Sequence, residues 1–232
     1  MSKLIEINSL EKKYGSRKVL DNITLSFESG TIVGLLGPNG CGKTSLIKII
    51  AGLINDYKGE VLIDGHAPDE YTKAITSYLP EKTYLSDNNK VEDALDFFGD
   101  FYADFDREKA EEMLRQFKLD PRQKIKSMSK GMQEKVQLIL VMARKARIYL
   151  LDEPLGGLDP ASRKAMLDII LNNYSEEALV LLSTHLINDV ERIFDRVIMV
   201  GEAQILIDDT VDNIRQTSGK SVEELFEEVF KC

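Results

Sequence analysis

The sequence has 232 residues, and 30 lysines and arginines against 39 aspartates and glutamates give it a formal net charge of −9. This length predicts one large domain, or a core with a subdomain, that can bury a hydrophobic core without disulfides. The acidic balance argues against a long nucleic-acid-binding track, which usually shows as a basic patch, but it leaves local basic sites open.

Neither a membrane span nor a secretory signal is visible in the sequence. No apolar stretch approaches the roughly 18–20 residues that cross a bilayer, and the first residues lack the apolar segment of a signal peptide. The two cysteines, Cys41 and Cys232, make neither a disulfide framework nor a zinc spacing. We therefore expect a cytoplasmic protein that does not cross the membrane itself.

Four short apolar runs without polar alternation predict strands that are buried on both faces, as in a parallel sheet. They cover residues 32–36, 148–151, 179–182 and 197–200. Segments with helical periodicity lie between the runs, for example at Val136, Ile139, Leu140 and Ala143. Alternating strands and helices indicate an α/β fold.

Other parts of the chain predict a different organisation. Residues 4–7 and 23–27 are typical of half-exposed antiparallel strands, with a turn at residues 14–16 between them. Residues 84–127 are rich in acidic and aromatic side chains and predict mainly helix, which we interpret as a subdomain inserted into the α/β core. Near the end, the pattern from Ser221 to Glu224 predicts a capping box that starts a last amphipathic helix.

Residues 37–44 fit the pattern G-x-x-x-x-G-K-[S/T] of a phosphate-binding loop, between an apolar run and a helical pattern. The loop consists of Gly37, Pro38, Asn39, Gly40, Cys41, Gly42, Lys43 and Thr44, and Ser45 follows it directly. Its glycines let backbone N–H groups converge on phosphate oxygens, and the following helix adds the positive end of its dipole. We predict a nucleoside triphosphate site in which Lys43 reaches the β- and γ-phosphates and the Thr44 hydroxyl binds Mg2+. An unspecialised glycine-rich turn is the less favoured alternative.

Polar residues with catalytic potential follow two of the apolar runs. Asp152 and Glu153 come directly after the run at 148–151, at the edge of a parallel sheet where ligands bind. Asp152 suits Mg2+, which prefers oxygen ligands, and Glu153 can deprotonate a water for attack on the γ-phosphate. His185 follows the run at 179–182 on the same edge, where it could contact a γ-phosphate. The alternatives are an ordinary strand end and a surface or core histidine.

With these motifs in this order, the chain resembles the nucleotide-binding subunit of an ATP-binding cassette (ABC) transporter of the exporter-like branch, over about residues 3–210. Tyr14 matches the aromatic residue that stacks on adenine in this family, and His185 matches its switch histidine. Residues 129–133 stand in the place of the LSGGQ signature, and residues 157–160, with Asp159, match the D-loop. The resemblance implies a P-loop NTPase (RecA-like) core with an N-terminal antiparallel β subdomain and an inserted α-helical subdomain.

The resemblance also implies a single ABC ATPase domain with ATP and Mg2+ as cofactors. Its core comprises residues 1–82 and 128–210, the helical subdomain residues 83–127, and a helical tail residues 211–232.

The signature segment has a physical interpretation of its own. Ser129 can cap a helix that runs from Gly131 to about Lys145, and the N-terminus of this helix offers a second anion site. The resemblance implies that this second site, with Ser129, Gly131 and Met132, closes over ATP held by another cassette. Without the resemblance, a capped helix that binds no ligand is the better interpretation.

Three positions depart from the family pattern. Lys130 replaces a glycine and Met132 a glutamine of the signature, and both replacements resemble exporter-like members. Glu81 stands where the family has the glutamine of the Q-loop. Its carboxylate can still bind Mg2+, but it adds negative charge near the γ-phosphate and removes an amide donor.

The resemblance implies an ATPase motor that works at the inner face of the cell membrane by docking on a separate transmembrane permease. Two cassettes, as a homodimer or heterodimer, would close over ATP with Asp159 linking the two sites, and export is the favoured direction. Several aromatic residues of the helical subdomain are candidates for contact with the permease, although core packing is the expected role of any single one. They are Phe97, Phe98, Phe101, Tyr102 and Phe105. A soluble regulatory or assembly ATPase is the alternative function.

Overall fold

The computed structural model describes residues 3–230, so residues 1 and 2 of the predicted core and residues 231 and 232 of the predicted tail, including Cys232, lie outside the described part. The strands are β1 Lys3–Tyr14, β2 Arg17–Glu28, β3 Ile32–Leu36, β4 Lys58–Ile63, β5 Thr76–Leu79, β6 Ile148–Asp152, β7 Leu179–Thr184, β8 Arg196–Gly201 and β9 Gln204–Thr210. The helices are α1 Lys43–Ile50, α2 Glu70–Ala74, α3 Val91–Phe101, α4 Arg107–Gln116, α5 Lys130–Met142, α6 Pro160–Asn173, α7 Ile187–Val190, α8 Val211–Ser218 and α9 Val222–Phe230.

The larger sheet has the order β5-β6-β7-β3-β8-β9, and its strands are parallel except for β9, which pairs antiparallel with β8. Both of its faces are covered. In β3, Val33 and Leu35 pack in one hydrophobic cluster with α1, whereas Leu36 packs in a second cluster on the other face. Burial on both faces explains the continuous apolar runs, and all four strands that they predict are confirmed.

The smaller sheet has the order β2-β1-β4 and is antiparallel throughout. Ile7 of β1 lies opposite Leu25 of β2, and a turn at Gly15 and Ser16 joins the two strands, as predicted. Both strands have 12 residues and extend well beyond the predicted segments. The pattern did not predict β4, β5 and β9, since they are short or have mixed exposure without a continuous apolar run.

Helices α3 and α4 pack against α5 and share the second hydrophobic cluster with the larger sheet. The buried face of α3 carries Val91, Ala94, Leu95 and Phe98. Phe97 and Phe101 point away from this face, with 61% and 68% of their surface exposed, so the expectation of core packing was wrong for both. Helical geometry is the reason, because residues at i, i+3, i+4 and i+7 share one stripe and these two fall outside it.

Helix α5 begins at Lys130, close to the predicted start, but it ends at Met142 rather than near Lys145. The chain turns there because the backbone after Met142 forms hydrogen bonds with the segment between α3 and α4. Asp106 N donates to Ala143 O at 2.9 Å, and Lys145 N donates to Asp104 O at 3.0 Å. These tertiary bonds replace the intrahelical bonds that would have continued the helix.

The chain ends in α8 and α9, which follow the antiparallel strand β9. The predicted capping box is confirmed, since Glu224 N donates to Ser221 Oγ at 3.1 Å and Ser221 N donates to Glu224 Oε2 at 2.8 Å. Helix α9 packs beside α7, which begins two residues after His185. Among residues 3–230, no helix combines the length and apolarity that crossing a membrane requires.

Candidate functional site

The phosphate-loop sequence joins the central strand β3 to helix α1, which is the context predicted for it. Two of its glycines lie where no side chain fits. A Cβ on Gly42, whose φ is +115°, would come within 2.5 Å of Val19 O, and a Cβ on Gly37 would come within 2.3 Å of Val200 O. The loop therefore lies close against neighbouring backbone, which constrains its shape at these two glycines.

Lys43, the first residue of α1, is buried at the mouth of this loop. Its Nζ donates to Gly37 O at 2.7 Å and to Pro38 O at 3.4 Å. The same Nζ lies 3.3 Å from Glu153 Oε1, in an ion pair without hydrogen-bond geometry. The ammonium group is thus held by loop carbonyls beside the space where a phosphate would lie.

Asp152 ends β6 and lies buried beside the start of α1. Its Oδ1 accepts hydrogen bonds from Ser183 Oγ at 2.7 Å and from Thr44 Oγ1 at 3.1 Å, while its buried Oδ2 has no partner. Burial raises the pKa of this carboxyl group, and the two hydroxyl donors oppose the rise. The carboxylate is therefore oriented by hydroxyl groups and keeps one oxygen free for a cation.

Glu153 connects the acidic pair to the histidine. Its φ is +50°, in the left-handed region that costs a residue with a side chain about 1–3 kcal/mol. Its backbone N–H donates to Ser183 O at 3.1 Å and to Ser183 Oγ at 2.9 Å, which holds this conformation. Its Oε2 lies 2.9 Å from His185 Nδ1 and its Oε1 faces Lys43, so the carboxylate sits between two basic groups.

The arrangement fits Mg2+ when the ion is shared with phosphate oxygens. Thr44 and the free oxygen of Asp152 are hard oxygen donors of the kind Mg2+ prefers, and Glu81 lines the same cavity. Within residues 3–230, no group of three or more His, Cys, Asp or Glu side chains is placed to hold a metal by itself. The protein thus supplies a few oxygen ligands, and phosphate and water would complete the coordination.

A cavity of about 990 Å³ opens in front of these groups. Its lining includes Tyr14, Arg17, Asn39, Gly40, Gly42, Lys43, Thr44, Ser45, Glu81, Lys130, Gln133, Glu134, Glu153 and His185. Pro38 and Cys41 line a smaller neighbouring cavity instead, and burial raises the pKa of the Cys41 thiol. The large cavity therefore brings together Tyr14, most of the phosphate loop, Glu81, Glu153 and His185.

Several predicted residues lie outside the lining of the large cavity. Ser129 caps α5, with its Oγ accepting from Met132 N at 3.3 Å, and Gly131 lies beside Leu158. Asp159 caps α6 by accepting from Ser162 N at 3.0 Å and Ser162 Oγ at 2.7 Å, and these bonds lower its pKa. Within one chain, Ser129 and Asp159 thus cap helices, and Met132 donates the N–H group that Ser129 accepts.

Two residues of the site, Ser183 and Arg17, had no role predicted from the sequence. Ser183 orients both Asp152 and Glu153, and Arg17 Nη2 donates to Gly40 O at 3.1 Å in the phosphate loop. A signal for Ser183 was present, since it is polar and ends an apolar run one strand away from Asp152. Recognising it required the pairing of β6 with β7, which sets Asp152 opposite Ser183.

Comparison with known proteins gives consistent matches. The family described as ABC transporter matches residues 20–156, more than half of the chain. An uncharacterized ABC transporter ATP-binding protein of Methanocaldococcus jannaschii is 38% identical over 205 residues, 86% of this chain and 75% of that protein. The ABC-type transporter ATP-binding protein EcsA of Bacillus subtilis is 30% identical over 226 residues, 93% of this chain and 91% of its own. The daunorubicin resistance ATP-binding protein DrrA3 of Streptomyces coeruleorubidus is 28% identical over 223 residues, 93% and 71% of the two chains.

Solved structures agree with these matches. The ATP-binding subunit of an ABC transporter has a TM-score of 0.87 to this chain at 30% identity, over 98% of this chain and 99% of that one. A nucleotide-free ATP-binding cassette from an ABC transporter, 18% identical, has the same fold with a TM-score of 0.78 over 94% and 96% of the two chains. The predicted α/β fold with a P-loop NTPase core is thereby confirmed. The chain belongs to the ABC transporter family, as an ATP-binding subunit.

Proposed function

We propose that this chain hydrolyses ATP and couples the hydrolysis to the movement of a substrate through a separate membrane permease. The observation that carries the proposal is the meeting of Lys43, Asp152, Glu153 and His185 at the carboxyl ends of three neighbouring strands. These residues are joined by contacts of 2.7–3.3 Å, either directly or through Ser183. An arrangement that held only a nucleotide would not need a carboxylate fixed between an ammonium group and an imidazole.

Each residue has a distinct proposed role. Lys43 and His185 stabilise the negative charge that develops on the γ-phosphate, and backbone N–H groups of the phosphate loop bind its neighbours. Glu153 accepts the proton of the attacking water, so that the oxygen–phosphorus bond forms as the bond to the leaving ADP breaks. Mg2+, held through Thr44, Asp152 and Glu81, would neutralise charge on the phosphate oxygens when bound. Tyr14 stacks on the adenine base.

The residues outside the cavity support a dimer of cassettes. The lining of the chain's own cavity includes Lys130 and Gln133 of α5 but not four other predicted residues, which are Ser129, Gly131, Met132 and Asp159. We propose that these four complete the site of a second cassette. At the start of α5, the Ser129 hydroxyl group accepts from the Met132 N–H, and the other N–H groups of the first turn can face an anion. ATP-driven head-to-tail closure of two cassettes, identical or different, would then move the permease between its access states.

A second cavity supports docking on a permease. This groove has a volume of about 980 Å³ and a largely apolar lining that includes Leu53, Tyr84, Phe97, Phe101 and Tyr102. Exposed aromatic side chains concentrated in one groove are typical of protein contact sites. In a family of transporter subunits, we propose that its occupant is a cytosolic helical segment of the permease with apolar side chains.

We further propose that residues 83–127 form a helical subdomain that contacts the permease. Residues 1–82 and 128–210 would form the core, and residues 211–232 the helical tail. The chain would thus work on the inner face of the membrane. Export is the proposed direction, and it rests on the exporter-like signature with Lys130 and Met132 and on Glu81. A relative named for daunorubicin resistance is compatible with it.

Replacement of the proposed base tests the hydrolytic function. Glu153→Gln keeps the size of the side chain but cannot accept the proton, so we expect steady-state ATP hydrolysis to fall at least about 100-fold while ATP binding persists. With ATP and Mg2+, the variant is expected to accumulate as a dimer in size-exclusion chromatography with light scattering. Hydrolysis at the wild-type rate would refute the role of Glu153.

Purification from membranes tests the transport function against a soluble regulatory or assembly ATPase. We expect the tagged full-length chain, isolated from detergent-solubilised membranes, to retain one polytopic membrane protein in a fixed stoichiometry. A chain recovered wholly in the soluble fraction, as an ATP-dependent dimer without a membrane partner, would favour the alternative function.

A further inference from the structure

Lys12 lies in β1, two residues before Tyr14. Its side chain is buried, although it lies outside the phosphate loop and has no proposed role in binding phosphate. Only 4% of its surface is exposed, an unusual position for a lysine. Its Nζ donates to Asp56 O at 2.6 Å and lies 3.2 Å from Asp56 Oδ2. The carboxylate of Asp56 is almost fully exposed, so the short bond to the backbone carbonyl is the firmer anchor.

The ammonium group of Lys12 lies over the ring of Tyr14, 4.7 Å from the ring centroid. This distance is within the range of a cation–π interaction, roughly 6 Å. Tyr14 is 51% exposed and lines the nucleotide cavity, whereas Lys12 does not. The phenol oxygen of Tyr14 lies 3.5 Å from Ser45 Oγ at the start of α1. A fixed cation therefore covers one face of the ring, while about half of the residue's surface stays exposed beside the cavity.

We propose that Lys12 is a positioning residue for base binding, which orients Tyr14 so that the opposite face of its ring receives the purine ring of ATP. A half-exposed tyrosine would otherwise lose rotational freedom when a base stacks on it, and the cation removes part of this cost in advance. The cation also draws π-electron density toward itself, which favours stacking of an electron-rich purine on the opposite face. The inference rests on the proposed function, in which Tyr14 stacks on adenine.

The experiment compares ATP with inorganic tripolyphosphate, which has the phosphates but no base. Mg2+ complexes of both ligands are titrated by calorimetry into the full-length wild type and Lys12→Met, a variant with an unbranched apolar side chain of similar length. We expect affinity for ATP to fall about fivefold, because the roughly 1 kcal/mol cost of ordering the Tyr14 side chain then falls on binding, and affinity for tripolyphosphate to stay unchanged. Lys13→Met is the matched control, since it removes an equal charge from the next, exposed residue of β1. This control should bind both ligands as the wild type does.

Two further variants separate positioning from a structural role. Lys12→Arg keeps a cation over the ring and is expected to retain most of the ATP affinity. In a Tyr14→Leu background, which itself should weaken ATP binding, Lys12→Met is expected to have no additional effect. Tripolyphosphate binding reports in every variant that the phosphate loop is folded.

Three results would overturn the proposal. They are an equal loss of affinity for both ligands in Lys12→Met, an unchanged ATP affinity in that variant, and an undiminished effect of Lys12→Met in the Tyr14→Leu background. If Tyr14→Leu weakens ATP binding and Lys12→Met does not, stacking by Tyr14 stands and only the role of Lys12 is lost. If Tyr14→Leu binds ATP as tightly as the wild type, the stacking role and the role of Lys12 are both refuted.

Discussion

Replacing Ser183 by alanine removes one hydroxyl group from a fully buried position between the two acidic residues of the site. Its Oγ donates to Asp152 Oδ1 at 2.7 Å and accepts from Glu153 N at 2.9 Å. In Ser183→Ala the Glu153 amide keeps its second partner, Ser183 O at 3.1 Å, whereas Asp152 keeps only the longer bond from Thr44. The loss therefore falls mainly on the orientation of the Asp152 carboxylate.

The magnitude follows from the charge of the acceptor. A hydrogen bond to a charged group contributes about 1.5–3 kcal/mol, and each 1.36 kcal/mol of activation free energy is a tenfold change in rate. If this bond acts on the transition state, kcat falls roughly 10- to 100-fold. The substitution should also raise the pKa of Asp152 further, because a donor to the carboxylate is lost while burial remains. The acid limb of the pH profile of kcat/KM, which reports groups of the free enzyme, should then move to higher pH.

Phosphate release at limiting and at saturating ATP with Mg2+, measured from pH 5 to 9, gives kcat/KM and kcat for Ser183→Ala. Ser77→Ala is the matched control, since Ser77 is also buried and loses one hydrogen bond, from its Oγ to Val141 O at 2.9 Å. Both variants are expected to lose about 1 kcal/mol of free energy of unfolding, and therefore to unfold at a slightly lower temperature. Only Ser183→Ala should lose activity. Equal losses of kcat in both variants, or an unchanged rate and pH profile in Ser183→Ala, would refute the reasoning.

Two other predictions concern stability and the permease. Burial raises the pKa of Asp152 above its value in the unfolded chain. Ionisation of this carboxyl group therefore destabilises the folded, nucleotide-free chain as pH rises. Because asparagine carries no charge, Asp152→Asn should raise Tm at pH 7. This gain should shrink as pH falls toward the ordinary aspartate pKa of 3.8, because protonation removes the buried charge. A pH-independent difference in thermal unfolding would contradict the cause. Replacing both Phe97 and Phe101 by serine should leave basal ATP hydrolysis intact but reduce permease recovery from membranes at least about fivefold. Leu206→Ser, another exposed apolar position, is the control for the groove, and equal recovery of the permease in both variants would exclude docking there.

Features that depend only on residues adjacent in the chain could be predicted before the fold was known. The phosphate loop could be recognised because its glycines, lysine and threonine are contiguous, and the adjoining strand β3 and helix α1 carry their own periodic patterns. The strands β6, β7 and β8 were predictable for a similar reason, since burial on both faces requires apolar residues at successive positions. The capping box at Ser221 was equally local.

Tertiary packing decided the features that the pattern did not predict. The strands β4, β5 and β9 owe their place to pairing with longer strands rather than to strong patterns of their own. The exposure of Phe97 and Phe101 depended on which stripe of α3 meets α5. Helix α5 ends at Met142 because the following backbone bonds to the segment after α3, a partner that is distant in sequence.

The site shows the same division. The sequence indicated Lys43, Asp152, Glu153 and His185 as candidates, but only the parallel pairing of β6, β7 and β3 brings them together. The contact between Thr44 and Asp152 spans 108 positions of the chain, and the bond between Ser183 and Asp152 spans 31. Residue order specifies which groups are available and which segments can fold locally. The distances, the burial and the free Asp152 oxygen arise only when packing places remote segments side by side, because these properties depend on neighbours in space rather than in sequence.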